Sequence, residues 1–311
     1  MAAVKKAEPV TPVAPRLPPG WRGAGWIIGS SIALLAMSRW LSATSVEYLV
    51  LAATATAVCA ALMFGVQASH RPWAVACVAA MIMALTLGAN TQHQLARLEH
   101  DWPAERARMS DEALSDLSAR VGQASVELGT LALAALTAPS DRGDAFQRLA
   151  GAVRGDDRAL VLFRGDSAFA WSGTPRVSVD SLADSSGVVG TPFYLALYAS
   201  ATGIGAHAVA TRLLYAVPPA DRMVHSLGGD VVQRTGIAGL RFVPAADSAT
   251  LAGARVVQSD GRNLFAVRAE LPTQGQVQLR LLERARLFVG LLLGAALACF
   301  IVAAWRDRRG L

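Results

Sequence analysis

The sequence predicts a membrane α-helical protein of four spans that carries an extracytoplasmic α+β domain, with an antiparallel sheet and a long N-terminal helix. Three observations lead there. First, apolar residues make up 53% of the 311 and charged residues only 17%, against about 25% charged in a soluble domain. That excludes a disordered chain. Second, the charge is segregated. Residues 91–286 hold 20 arginines, no lysine and 20 acids, so that region is neutral. The nine other bases (Lys5, Lys6, Arg16, Arg22, Arg39, Arg71, Arg306, Arg308, Arg309) face three acids and supply the whole net charge of +6. All nine flank apolar runs, a topology signal and not a phosphate-binding patch, so no nucleic-acid partner is expected. Third, the hydropathy period switches from helical to two-residue at Arg158.

Residues 1–23 read as a proline-rich cytoplasmic tail and not as a cleaved signal peptide. Pro9, Pro12, Pro15 and Pro18 recur every third residue, one face of a polyproline II helix that either docks an aromatic groove or stays solvated. Residues 24–90 read as three transmembrane helices, at 24–38, 48–66 and 73–89, since a span needs about 20 apolar residues. The first is short and is expected to cross with Trp21, Arg22, Arg39 and Trp40 anchoring its ends. The fourth span is 287–305, followed by a basic tail, 306–311. Eight of the nine flanking bases fall on one side if both termini are cytoplasmic, which puts 91–286 outside. Cys59, Cys77 and Cys299 all sit in apolar runs, so the polar region has neither a disulfide framework nor a cysteine metal site.

Within 91–286, Asp101-Trp102-Pro103 reads as a helix start. From there Leu114, Leu117, Val121, Ala124, Leu128, Leu131 and Ala135 alternate in steps of three and four, a heptad seam. It serves either a second copy of the chain or the domain's own sheet. A short helix is expected over 144–153. Strands follow at 158–164 and 167–172 around Gly165-Asp166, then a loop over 173–190. Strands 193–200 and 207–217 turn at Gly203-Ile204-Gly205, and a helix over 221–234 is interrupted at Gly228-Gly229. The last strands are 237–243, 254–258, 263–271 and 276–282. The final one alternates Val277, Leu279 and Leu281 with Gln276, Gln278 and Arg280, leaving Glu283–Arg286 as a four-residue link to the fourth span.

Membrane spans, a long helix leaving the membrane, a hairpin-rich α+β domain with the stretch FYLALYAS…HAVATRLLYAVPPADRMV, and a last strand running into a final span resemble the sensor half of bacterial sensor histidine kinases. The region outside resembles their PAS-like or CACHE-like ligand-binding modules. The resemblance implies a bacterial inner-membrane protein that binds an unknown small ligand or a partner and moves its fourth span. None of His70, His93, His100, His207 or His225 lies in a cytoplasmic helical bundle, so no kinase core and no enzyme activity is expected. The alternative, from a different class, is a structural accessory subunit of a larger membrane complex. Expected partners are the bilayer and either a second copy or other membrane subunits.

No cofactor is expected. Gly203-Ile204-Gly205-Ala206-His207-Ala208 fits a dinucleotide pattern, but a strand and not a helix follows it. His93 and His100 are seven apart, too loosely spaced for a metal site, and none is expected. The three Arg-Gly-Asp triplets, at 142–144, 154–156 and 164–166, read as turn glycines among arginines. The remaining candidate is a ligand site: Arg212, a charge in an apolar strand, with Tyr194 and Tyr198 on the neighbouring strand. Arg212 could fork to a carboxylate or phosphate, pair with an internal Asp, or face water.

Overall fold

The computed structural model describes residues 19–62, 71–180, 182, 186–216, 225–259 and 261–308, and for 19–23 and 306–308 the backbone alone. The proline tail up to residue 18, His70 and Asp221 lie outside the described residues, and so do the side chains of Trp21 and Arg22. The chain divides into two compact units, one up to Asp101 plus Gln274 onward, the other Trp102–Thr273.

The first unit holds helices α1 (Pro19–Ala43), α2 (Val46–Leu62), α3 (Arg71–His100) and α7 (Gln274–Arg308). Ala24–Ala43, Arg71–His100 and Gln274–Trp305 are long and apolar enough to cross a membrane, while Val46–Leu62 is a shorter apolar helix. The helices alternate in direction. Early in α1, a Cβ on Gly29 would lie 2.7 Å from Cys59 Sγ, late in α2. Late in α1, Trp40 shares the surroundings of Gly88 on α3 with Leu49, early in α2. The rings of Trp26 and Phe300 stand 5.6 Å apart at one end of the bundle. At the other, Arg286 Nε donates to Leu41 O at 2.9 Å and Gln274 Nε2 donates to Leu98 O at 2.8 Å. Small residues at these crossings let backbones approach, which is how helices pack where lipid removes the hydrophobic drive between them.

The second unit begins with α4 (Trp102–Ala135) and α5 (Arg142–Ala152), the latter capped by Asp141, whose side chain accepts from Asp144 N. Strands β1 (Arg158–Arg164), β2 (Ser167–Gly173), β3 (Ser186–Gly190), β4 (Tyr194–Gly203) and β5 (Ala206–Ala216) form an antiparallel sheet in the order β2-β1-β5-β4-β3. Helix α6 (Leu227–Thr235) leads to a second antiparallel sheet, β6-β8-β7, from β6 (Gly239–Pro244), β7 (Arg255–Ser259) and β8 (Arg262–Glu270). One face of the large sheet packs on α4, burying Leu117, Val121 and Leu128 against Leu160, Leu197 and Leu214. The other face is covered by Val177 and Val179, which lie against Val161, Phe163, Ala196 and Val209.

Several expectations change. Residues 276–282 are helical, within α7. Val277, Gln278, Leu281, Leu282 and Ala285 face inward at helical spacing while Leu279 is exposed. A seven-residue alternation cannot tell the two periods apart, and Gln, Leu and Arg are good helix formers. No four-residue link exists, because Glu283–Arg286 belong to the same helix. The loop expected over 173–190 contains β3, an edge strand. Its glycines hid it; a Cβ on Gly187 would meet the Tyr198 ring at 2.9–3.1 Å, so the ring lies over bare backbone. The single expected sheet is two. Of the helix expected over 221–234, residues 221–224 lie outside the described residues, and Gly228-Gly229 lies in the first turn of α6, with Ser226 as N-cap accepting from Gly229 N. Trp40 is not an interfacial anchor but is 1% exposed inside the bundle. The heptad seam is spent on the domain's own core.

Candidate functional site

Arg212 is paired within the protein. Its Nε donates to Asp157 Oδ2 at 2.7 Å, and its Nη1 lies 3.6 Å from Glu127 Oε2. Glu127, on α4, also accepts from Arg158 Nη2 at 2.8 Å. Two carboxylates and two guanidiniums thus neutralise one another between helix and sheet, the internal-Asp alternative for Arg212. Each partner satisfies a charge that would be costly to leave alone at partial burial.

Tyr194 and Tyr198 are elsewhere. Directly opposed residues of an antiparallel pair share a face. Register pairs Tyr198 with Thr211 and Leu197 with Arg212, so Arg212 shares the α4 face while Tyr198 is on the other. Tyr194 and Tyr198 both pack with the Val161–Phe163–Val209 cluster there. The structure therefore brings the two tyrosines onto one face and separates both from Arg212.

Beside Tyr194 lies a cavity of about 230 Å³, lined by Arg176, Tyr194, Leu213, Tyr215, Ala216, Ser226, Gly229, Val232, Ala238 and Gly239. The Arg176 guanidinium carbon stands 5.6 Å from the Tyr194 ring centroid. Its Nε is buried and finds no hydrogen-bond partner. A second cavity of about 380 Å³ shares Tyr194 and Tyr215 and is bounded by Phe193, Leu240, Phe242 and the charged Arg241 and Glu270. Arg176 and Tyr215 were not among the expected site residues. No local signal pointed to Arg176: alternation with Val177 and Val179 inward would turn the preceding arginine away from the sheet, and only the fold places it beside Tyr194.

The other motifs settle into turns and contacts. Gly203-Ile204-Gly205 is the β4–β5 hairpin tip, with Gly205 at φ +68°. Arg164 of one triplet donates to Pro139 O and Ser140 O, and Arg142 of another donates to Phe169 O. His100 Nδ1 stands 2.8 Å from Ala96 O in its own helix. Among the described residues no three His, Cys, Asp or Glu side chains converge as metal ligands would.

Compared with known proteins, the chain matches no family model, no curated protein and no solved structure.

Proposed function

We propose that this is a sensor-like protein of a bacterial cytoplasmic membrane, with four spans, both termini cytoplasmic and the α+β domain outside, which binds a small ligand or partner and passes the event to α7 without catalysis of its own. One observation carries the reading: the alternating bundle brings the C-terminal end of α3 and the start of α7 to one end, away from Trp26 and Phe300. Both junctions with the domain are therefore at that end, and the basic flanks of α1 and α7 are at the other, as the positive-inside bias requires. The junctions are short: Asp101 alone between α3 and α4, and Leu271–Thr273 between β8 and α7. A cavity-bearing domain tied so closely to two membrane helices suits a ligand-driven shift, bounded by the ligand's differential affinity for two positions. Helix α2 also crosses in this reading, the second span in chain order and the shortest of the four.

The accessory-subunit reading has its own support. Gly290 and Gly294 on α7 have open space where a Cβ would be, the small-x-x-x-small face on which membrane helices pair.

Topology is tested in intact cells whose three native cysteines are replaced. Asp166→Cys, in the β1–β2 turn, should react with a membrane-impermeant maleimide, and Ala3→Cys only after permeabilisation. Labelling of position 3 in intact cells would sink the orientation. Native mass then separates the readings, a dimer for the sensor against a larger multi-protein assembly for the subunit.

A further inference from the structure

We infer that the cavity between the Arg176 segment, strands β4 and β5 and the first turn of α6 binds a small oxyanion, a carboxylate or phosphate group on a compact apolar body. This rests on reading the domain as a ligand-binding module and names the ligand that module takes.

The argument starts from an imbalance of charge. Other arginines of the domain have acceptors: the part-buried Arg158 and Arg212 in Glu127 and Asp157, and at the surface Arg142 and Arg164 in backbone carbonyls. Arg176 alone among these has a buried Nε with no acceptor among the described residues. The buried Val177 and Val179 clamp the segment to the sheet, so the guanidinium is held at the cavity wall. The positive charge of Arg176 lines the cavity, and an anion arriving there supplies the counter-charge and a charge-assisted hydrogen bond. No described carboxylate lines this cavity. The acid of the α6 first turn, Asp230, is not in its wall. The hydroxyl of Ser226, which accepts from Gly229 N at 3.1 Å, retains its own proton to donate. Leu213, Val232 and Ala238 make the rest apolar. A volume of about 230 Å³ is below the range of about 300–1,000 Å³ for drug-sized ligands. The occupant is therefore small: one anionic group for the guanidinium, a short apolar remainder for the other walls.

The test uses the full chain in lipid nanodiscs, titrated with sodium phosphate or sodium propionate at constant ionic strength, with propionamide as the neutral control. One anion should bind and raise the thermal midpoint, propionamide should do neither, and whichever anion binds identifies the source of the oxyanion. Arg176→Gln should weaken that binding about tenfold or more, the scale of a lost charge-assisted hydrogen bond. Without anion the same variant should melt higher than the parent, because the buried unpaired Nε–H is gone. Binding of neither anion, binding unchanged in Arg176→Gln, or a lower midpoint in that variant with no anion response would overturn the site. The last outcome would make Arg176 a cation–π prop for Tyr194. A second arm keeps the sensor reading separate. A probe on Trp305→Cys should respond to the bound anion, and a Gly-Ser-Gly-Ser insertion after Thr273 should abolish that response but not the binding. Binding with a silent probe in the parent would leave the site standing and overturn the sensor reading.

Discussion

Helices α3 and α4 follow one another with a single residue between them and are similar in length, 30 and 34 residues. Each buries one stripe: Cys77, Met81, Ala84 and Gly88 on α3, and Leu114, Leu117, Val121 and Leu128 on α4. They differ in what they leave outside. The apolar part of α3 exposes Trp73, Val75, Ile82, Met83 and Leu87. The outer side of α4 instead carries Arg108 paired with Glu105 and Glu112, and Asp111 accepting from Arg255 of β7. The hydrogen bond from Arg108 to Glu105 lifts the guanidinium further above its already high pKa, so it stays charged. The buried stripe of a helix says where its core is, and the opposite face says what solvent it meets. The outward face of α3 is apolar enough to meet hydrocarbon, and that of α4 is charged as a face turned to water is.

The sharpest way to break this contrast is to separate the two units. Excised Trp102–Thr273 should remain soluble and melt in one cooperative transition that reductant does not move, since all three cysteines lie outside it. The bundle of α1–α3 and α7 should aggregate without detergent. A featureless melt of the excised domain would show that it depends on the bundle.

Next in size is the buried stripe itself. Leu117 is 0% exposed, and Leu117→Ala should lower domain stability by about 2–5 kcal/mol in chemical denaturation. Leu87→Ala, on the outward face of α3, should cost less than about 0.5 kcal/mol, since its side chain has no packed site to vacate. Equal effects would refute the assignment of solvents.

Backbone strain comes third. Gly173 closes β2 at φ +76°, and a Cβ there would stand 2.1 Å from Arg158 O. Gly173→Ala should cost about 1–3 kcal/mol, the scale of a residue held in an unfavourable backbone region. Gly205, also left-handed, has nothing within 4 Å of its would-be Cβ and should tolerate Asn much better.

The smallest effect belongs to the charge network. Glu127→Gln should destabilise by about 1 kcal/mol, between exposed and buried ion pairs, because its side chain is 36% exposed and water screens it. In a double-mutant cycle with Arg158→Gln, the second change should cost little once the first is made. Additive losses would show that the two do not interact.

Much of this architecture was legible residue by residue. Strand β1 runs Arg158–Arg164, as expected from its composition, because Val, Leu and Phe in a short run between charges have few other ways to be buried. The α4 seam was legible as a stripe, but not its partner. A heptad pattern specifies that one face is covered, and a sheet covers it as well as a second helix does. Residues 276–282 were misread because alternation over so few positions fits both periods. Of the expected site, Tyr194 borders two cavities. Arg212 was visible as a charge in an apolar strand, but its partners lie 55 and 85 positions before it, at Asp157 and Glu127, beyond any local pattern.

By itself the sequence determined which segments are apolar enough to leave water, which side their basic flanks favour, and where the chain changes from helical to extended. Those are properties of neighbours along the chain, set by hydropathy and backbone propensity over a few residues. Tertiary structure alone decided that the heptad stripe faces β1, β4 and β5, that Arg212 is neutralised by Asp157 and Glu127, and that the Nε of Arg176 is buried without an acceptor among the described residues. Whether a charge has a counter-charge depends on which distant segments the fold brings within a few ångströms. Coulomb energy and hydrogen bonding act over that distance in space, whatever the separation in sequence.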